Sequence, residues 1–204
     1  MLITDRSRLR GRALAEVAAQ AVEGGVDAVQ LREKDLTAAE LYELGAPLKA
    51  ALGSRALLMV NGRIDVALAI GADGVHFPER RLPADQAIAM AKDVCIIGRS
   101  VHSVEAAVAA EAEGADYLQT GTVFETASKP GRPAAGLSLI REVRAAVSIP
   151  IIAVGGIDAS NAADVIDAGA DGIAVIGAIM DADDPQQAAR HLRQVIDAAY
   201  AGCR

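Results

Sequence analysis

Short aliphatic runs alternate along the chain with longer Ala-rich stretches whose apolar positions recur at helical spacing, a pattern that predicts repeated β/α units. The phrase Gly-[Val/Ala]-Asp-x-aliphatic occurs four times, beginning at Gly25, Gly71, Gly114 and Gly169, each time after an amphipathic Ala-rich stretch. Each copy reads as a helix that stops at a glycine, where positive φ carries no Cβ penalty, and then turns into a buried strand. The spacings of 46, 43 and 55 residues suit two β/α units apiece. Further runs at Leu2–Thr4, Ala56–Val60, Cys95–Gly98 and Ile151–Val154 bring the expected strands to eight, which predicts a single (β/α)8 barrel over residues 1–204.

The other predicted strands are Ala28–Leu31, Gly74–Phe77, Tyr117–Gln119 and Gly172–Ile176. Helices are expected over Leu9–Glu23, after a capping-box start at Thr37 and Glu40, over Ile64–Ile70, from Pro83, from a Ser103 cap, near Ser160 and over Pro185–Ala199. From Thr120 to Gly136 the chain is polar and rich in Gly and Pro, and it follows a strand on the face where barrels carry their chemistry. We therefore expect a mobile lid there, with Val123–Gly131 ordering on ligand.

Composition narrows the function. Apolar residues make up 52% and aromatics 2%, so Ala, Val, Ile and Leu are expected to fill the core. A net charge of -7 and a pI near 5.0, without aromatic stacking platforms, argue against nucleic-acid binding. Neither a membrane span nor a secretory leader is readable. Cys95 and Cys203 show neither metal spacing nor a disulfide framework, so a reducing cytoplasm is the expected setting. Ala-rich helix faces on so small a barrel are compatible with a homodimer.

Candidate chemistry gathers at the strand ends. Gly155 and Gly156 after the seventh strand, and Gly177 and Ala178 after the eighth, occupy the two loops where barrels commonly bind phosphate. There small residues let backbone N–H groups approach, and a short helix starting near Ala178 would add its positive end. Strand alternation sends Gln30, Arg32 and Lys34 to one side, with the two cations as an anion clamp. His102, just past the fifth strand, is the acid/base candidate. Asn61 either holds a ligand or makes an Asn-Gly turn, and Lys129 is placed to reach over a bound anion from the lid. His76 reads equally as an inward-facing group or a packing residue.

Together, Leu2-Ile-Thr-Asp5, Val29-Gln-Leu-Arg-Glu-Lys34, Val60-Asn-Gly-Arg-Ile-Asp-Val-Ala-Leu-Ala69, Gly71-Ala-Asp-Gly-Val-His76, Ile97-Gly-Arg-Ser-Val-His-Ser103, Gly114-Ala-Asp-Tyr117, Ala153-Val-Gly-Gly-Ile157 and Gly169-Ala-Asp-Gly-Ile-Ala-Val-Ile176 resemble the thiamine phosphate synthase/TenI superfamily over nearly the whole chain. In the synthases the resemblance implies carboxylates that hold Mg²⁺ on a departing pyrophosphate. Here Gly62 follows Asn61 and Arg81 stands where a second Asp is expected, with Glu79 a poor replacement. These departures, with Gly98–Ser103 and Val123–Thr126, are similar to the TenI branch. They imply a metal-independent thiazole tautomerase without cofactor, acting on a phosphorylated thiazole.

On that resemblance His102 moves the proton, Gly155, Gly156, Gly177 and Ala178 bind phosphate, and Arg32 and Lys34 face a carboxylate. The alternatives are a thiamine phosphate synthase, which would need Mg²⁺ or the charges of Arg80 and Arg81, and a non-catalytic thiazole-phosphate-binding regulator.

Overall fold

In a computed structural model, residues 1–79, 91, 95–126, 131 and 133–202 are described. Eight parallel strands run in sequence order: β1 (Leu2–Ile3), β2 (Ala28–Leu31), β3 (Leu57–Asn61), β4 (Gly74–Phe77), β5 (Ile96–Val101), β6 (Tyr117–Gly121), β7 (Ile151–Val154) and β8 (Gly172–Ala174). A parallel bridge between Leu2 and Val175, with Ile3 N–H donating to Val175 C=O at 2.9 Å, joins the last strand to the first. The expected (β/α)8 barrel is the observed one.

The helices are α1 (Leu14–Glu23), α2 (Ala38–Leu52), α3 (Ile64–Ala69), α4 (Val104–Ala112), α5 (Gly136–Ala146), α6 (Ala162–Asp167), the single turn α7 (Gly177–Met180) and α8 (Pro185–Gly202). The expected helix from Pro83 lies outside the described residues. Thr37 and Glu40 form the capping box of α2, and Ser103 caps α4 by accepting from Ala106 N–H. The first helix begins at Leu14 rather than Leu9. Arg10 and Gly11 take positive φ of 51° and 84°, which no helix accommodates, and Arg6–Arg8 forms a separate 3₁₀ turn.

The fourfold phrase has a structural explanation at each position. Gly25, Gly71, Gly114 and Gly169 all adopt positive φ, between 64° and 107°, as the sequence requires of them. Three of the Asp residues that follow start one strand and fasten the one before it. Asp73 accepts from Leu58 N–H at 2.7 Å, Asp116 from Ile97 N–H at 2.7 Å and Asp171 from Ile151 N–H at 2.8 Å. Lys49 and Arg144 neutralise Asp73 and Asp171, while Arg193 pairs with Asp27. The motif thus ties the barrel's strand starts together, at the end opposite the chemistry.

Ala, Val, Ile and Leu fill the core as composition suggested, and most of that core lies between the strands and the helices. Val29, Leu31, Leu58, Val60, Val75, Ile97, Leu118, Ile151, Ala153 and Ile173 point outward and form one core cluster with the helices. The alternate positions point inward and include Gln30, His76, Ser100 and Gln119. A strand has period 2, so an aliphatic layer against the helices leaves every second side chain free to be polar. The barrel spends those positions on its site.

Candidate functional site

A cavity of about 1030 Å³ opens at the C-terminal ends of the strands. Gln30, Arg32, Lys34, Asn61, His102, Gly155, Gly156, Gly177 and Ala178 all line it, so the structure collects nine of the residues singled out in the sequence. Lys129 lies outside the described residues, as do Arg80 and Arg81.

The β2 end is held rigidly. Thr4, fully buried, accepts from Arg32 N–H at 2.9 Å and donates its hydroxyl to Glu33 Oε1 at 2.7 Å, while Glu33 also accepts from Arg6 N–H at 3.2 Å. This network fixes the backbone from which Arg32 and Lys34 project. Burial pushes the Arg32 guanidinium below its ordinary value, against the pull of Asp5 and Glu33, yet no guanidinium loses its charge at neutral pH. Gln30 is buried, its amide Nε2 has no hydrogen-bond partner among the described residues, and its side chain lies along the cavity wall. A buried amide donor without a partner costs about 1–3 kcal/mol. It is an open donor for a ligand acceptor.

Asn61 makes the Asn-Gly turn: Gly62 has φ of 69° and donates its N–H to His76 C=O at 2.8 Å, and the Asn61 side chain still reaches the cavity.

His102 Nδ1 is hydrogen-bonded to Glu79 Oε2, and both side chains are about one-third exposed at the cavity. Glu79, weighed in the sequence as a substitute metal ligand, is engaged by the imidazole instead. A carboxylate on Nδ1 fixes the tautomer with its proton there and leaves Nε2 as the acceptor, the orientation a general base needs.

A second polar chain was not legible in the sequence. His76, 1% exposed, meets Tyr117 Oη through Nδ1 at 3.1 Å and Ser100 Oγ through Nε2 at 2.8 Å. Burial pushes its pKa down to about 3, with Arg99 and Arg32 adding repulsion, so the ring is neutral at pH 7. Burial raises the Tyr117 phenol above its ordinary value, so that hydroxyl keeps its proton. The proton order follows from satisfying every group. Tyr117 donates to His76 Nδ1, His76 Nε2–H donates to Ser100, and the Ser100 hydroxyl hydrogen is left to point at whatever occupies the cavity.

Ser100 was missed because the fifth strand was expected to end at Gly98; it runs to Val101, and the three extra positions include Ser100, which lies inside. Gly98 is required by the same group, since a Cβ there would stand 2.2 Å from Tyr117 Cζ.

At the loops after β7 and β8, Gly155 and Gly156 have φ of 109° and 64°. A Cβ on Gly155 would lie 2.5 Å from Thr122 Cγ2, and one on Gly156 would lie 2.4 Å from Glu125 C=O. Both glycines are thus demanded by packing as well as by turn geometry. The short helix foreseen near Ala178 is present but spans only four residues. The base of the expected lid is anchored, with Val123 and Phe124 N–H donating to Val154 and Gly155 C=O at 3.0 Å each. β6 itself extends through Gly121.

Among the described residues no group of three or more His, Cys, Asp or Glu side chains is arranged to hold a metal ion. Asn61 is followed by Gly62 and Glu79 is bound to His102, so the described residues do not fit the ion. No described helix is long and apolar enough to cross a membrane.

Comparison with known proteins gives a consistent result. The family model described as thiamine monophosphate synthase (TMP-TENI) matches residues 1–179. The chain is 46% identical over 200 residues to a thiamine-phosphate synthase of Natronomonas pharaonis, covering 96% of this chain and 94% of that one. It is also 46% identical over 202 residues to a thiamine-phosphate synthase of Methanoculleus marisnigri, covering 98% and 96%. A solved thiamine phosphate pyrophosphorylase from Pyrococcus furiosus superposes with a TM-score of 0.88 at 41% identity, covering 97% of this chain and 95% of that one.

Proposed function

We propose, from the premise that the chain belongs to the thiamine monophosphate synthase family, that this enzyme of thiamine biosynthesis is a transferase joining a hydroxymethylpyrimidine diphosphate to a thiazole phosphate. This reading takes the synthase alternative over the TenI tautomerase placement expected from the sequence, because relatives 46% identical over nearly their full length carry the synthase name. The observation that carries the reading, beyond kinship, is the cavity. At about 1030 Å³ it is slightly larger than the range of about 300–1,000 Å³ typical of a site for one drug-sized ligand, a size compatible with two small substrates.

In this reaction the thiazole nitrogen forms a bond to the pyrimidine methylene carbon, the C–O bond to the diphosphate breaks, and its electron pair leaves with pyrophosphate. The charge that develops is on the leaving oxygen. Arg32 and Lys34, on a backbone locked by Thr4 and Glu33, present positive charge preorganised for that oxygen. Ser100 and Gln30 supply neutral donors that orient a ring acceptor. No step is assigned to Mg²⁺, because the described residues do not fit it.

A specific observation favours a second reading, proton transfer on the thiazole phosphate. The His102–Glu79 pair is built for moving a proton, which the coupling reaction does not require at its reacting atoms. One experiment separates the two: thiamine phosphate formation from the two purified substrates, with Mg²⁺ and with EDTA, beside a known synthase. Product formation above the buffer blank supports the transferase. Its absence in both conditions, from a protein that binds the thiazole phosphate, refutes it and leaves tautomerisation to be measured directly.

A further inference from the structure

The loops after β7 and β8 have a charge problem. Residues 145–189 contain no Lys or Arg and seven Asp, two of which, Asp158 and Asp181, line the cavity beside Gly155, Gly156 and Gly177. Backbone N–H groups alone would have to hold a phosphate dianion against those carboxylates. The four-residue α7 is too short to add an appreciable macrodipole.

The missing cation comes from the neighbouring β1 loop. Arg8 lines the same cavity, and its Nη1 stands 3.4 Å from where a Cβ on Gly177 would be. It is not a loose surface residue. Asp5 accepts from Arg8 Nε at 3.0 Å, and Asp181 accepts from Nη1 at 2.5 Å, leaving Nη2 with no bond among the described residues. The loop carrying it is clipped to the segment after β8 a second and a third time. Arg12 donates to Met180 C=O at 2.7 Å and Ala182 C=O at 2.8 Å, and Arg10 pairs with Asp183 at 3.4 Å.

The geometry assigns to Arg8 the neutralisation of a phosphate monoester at the Gly155–Gly156 and Gly177–Ala178 loops, with Asp5 aligning the guanidinium fork and Asp181 competing with the incoming anion for it. The assignment rests on the phosphate reading of those loops. A guanidinium offers parallel donors to a phosphate, so exchange of the Asp181 contact for a phosphate contact keeps the guanidinium paired in both states. Arg32 and Lys34 lie one strand further round the barrel, at the end of β2, and line the same cavity.

The test is calorimetric binding of the thiazole phosphate and of the thiazole alcohol that lacks the phosphate, needing no turnover. Arg8→Met is expected to weaken the phosphate ester at least tenfold and leave the alcohol unchanged. Arg8→Lys, which keeps charge but not the fork, should fall between. Asp181→Asn should tighten the ester, because it removes the competitor; a purely structural clip would weaken it.

Equal binding of the ester by wild type and Arg8→Met, parallel loss of both ligands, or weaker binding by Asp181→Asn would overturn the assignment. Should the wild type bind neither thiazole, the proposed function fails, and inorganic phosphate followed by ³¹P line broadening decides the point separately. Broadening abolished by Arg8→Met and kept by Arg32→Met upholds the role of Arg8, whereas equal broadening in wild type and Arg8→Met, or none in the wild type, overturns it.

Discussion

Protonating His76 should unfold this barrel from the inside, and the size of the effect follows from its burial. In the folded chain the imidazole titrates at about 3 against an ordinary 6.5, chiefly because burial penalises the charged ring. The unfolded chain therefore takes up the proton first. Stability is complete above pH 6.5 and falls as the pH drops through the interval down to about 3, the sign expected for a histidine held neutral. At about 1.36 kcal/mol per pH unit, acidification from pH 7 to pH 5 should cost about 2 kcal/mol through this residue alone.

His76→Gln removes the titration while keeping a polar group between Tyr117 and Ser100. The variant will be less stable at pH 7. The informative quantity is how much each protein loses between pH 7 and pH 5 in urea unfolding followed by circular dichroism. Wild type should lose about 2 kcal/mol more than His76→Gln, other titrating groups cancelling in the difference. Equal losses, or an NMR titration of folded His76 near pH 6, would refute the reasoning that this ring is neutral and satisfied on both nitrogens.

Gly98→Ala should displace the Tyr117 ring and break its bond to His76, lowering stability by about 1–3 kcal/mol; an unchanged melting curve would remove the close approach from the argument. Asp171→Asn weakens a charge-assisted bond to Ile151 N–H at the barrel floor and should cost about 1 kcal/mol without altering substrate KM, checked by urea titration beside steady-state kinetics. If proton transfer is the reaction, His102→Ala should lower tautomer turnover by about 10²–10⁴-fold with product binding retained. Unchanged turnover in His102→Ala would remove that side chain from the mechanism. If coupling is the reaction, the same His102→Ala variant should keep most of its thiamine phosphate formation, measured with both substrates saturating.

The fourfold glycine phrase and the aliphatic runs by themselves determined the eight strands, their parallel order and the end of the barrel that carries the chemistry. These follow from local rules, since positive φ needs glycine and period 2 needs alternation, and both act within a few residues. The glycine turns, Gln30, Arg32, Lys34, Asn61 and His102 were legible for the same reason: each sits at or just past a strand end. What only the tertiary structure decided involves residues far apart in the chain. Arg8 meets Asp181 across 173 positions, His76 meets Tyr117 across 41, and Glu79 meets His102 across 23. Barrel closure sets strand register and so chooses these pairs, and the hydrogen-bond energy that orders them exists only once the strands have been brought side by side.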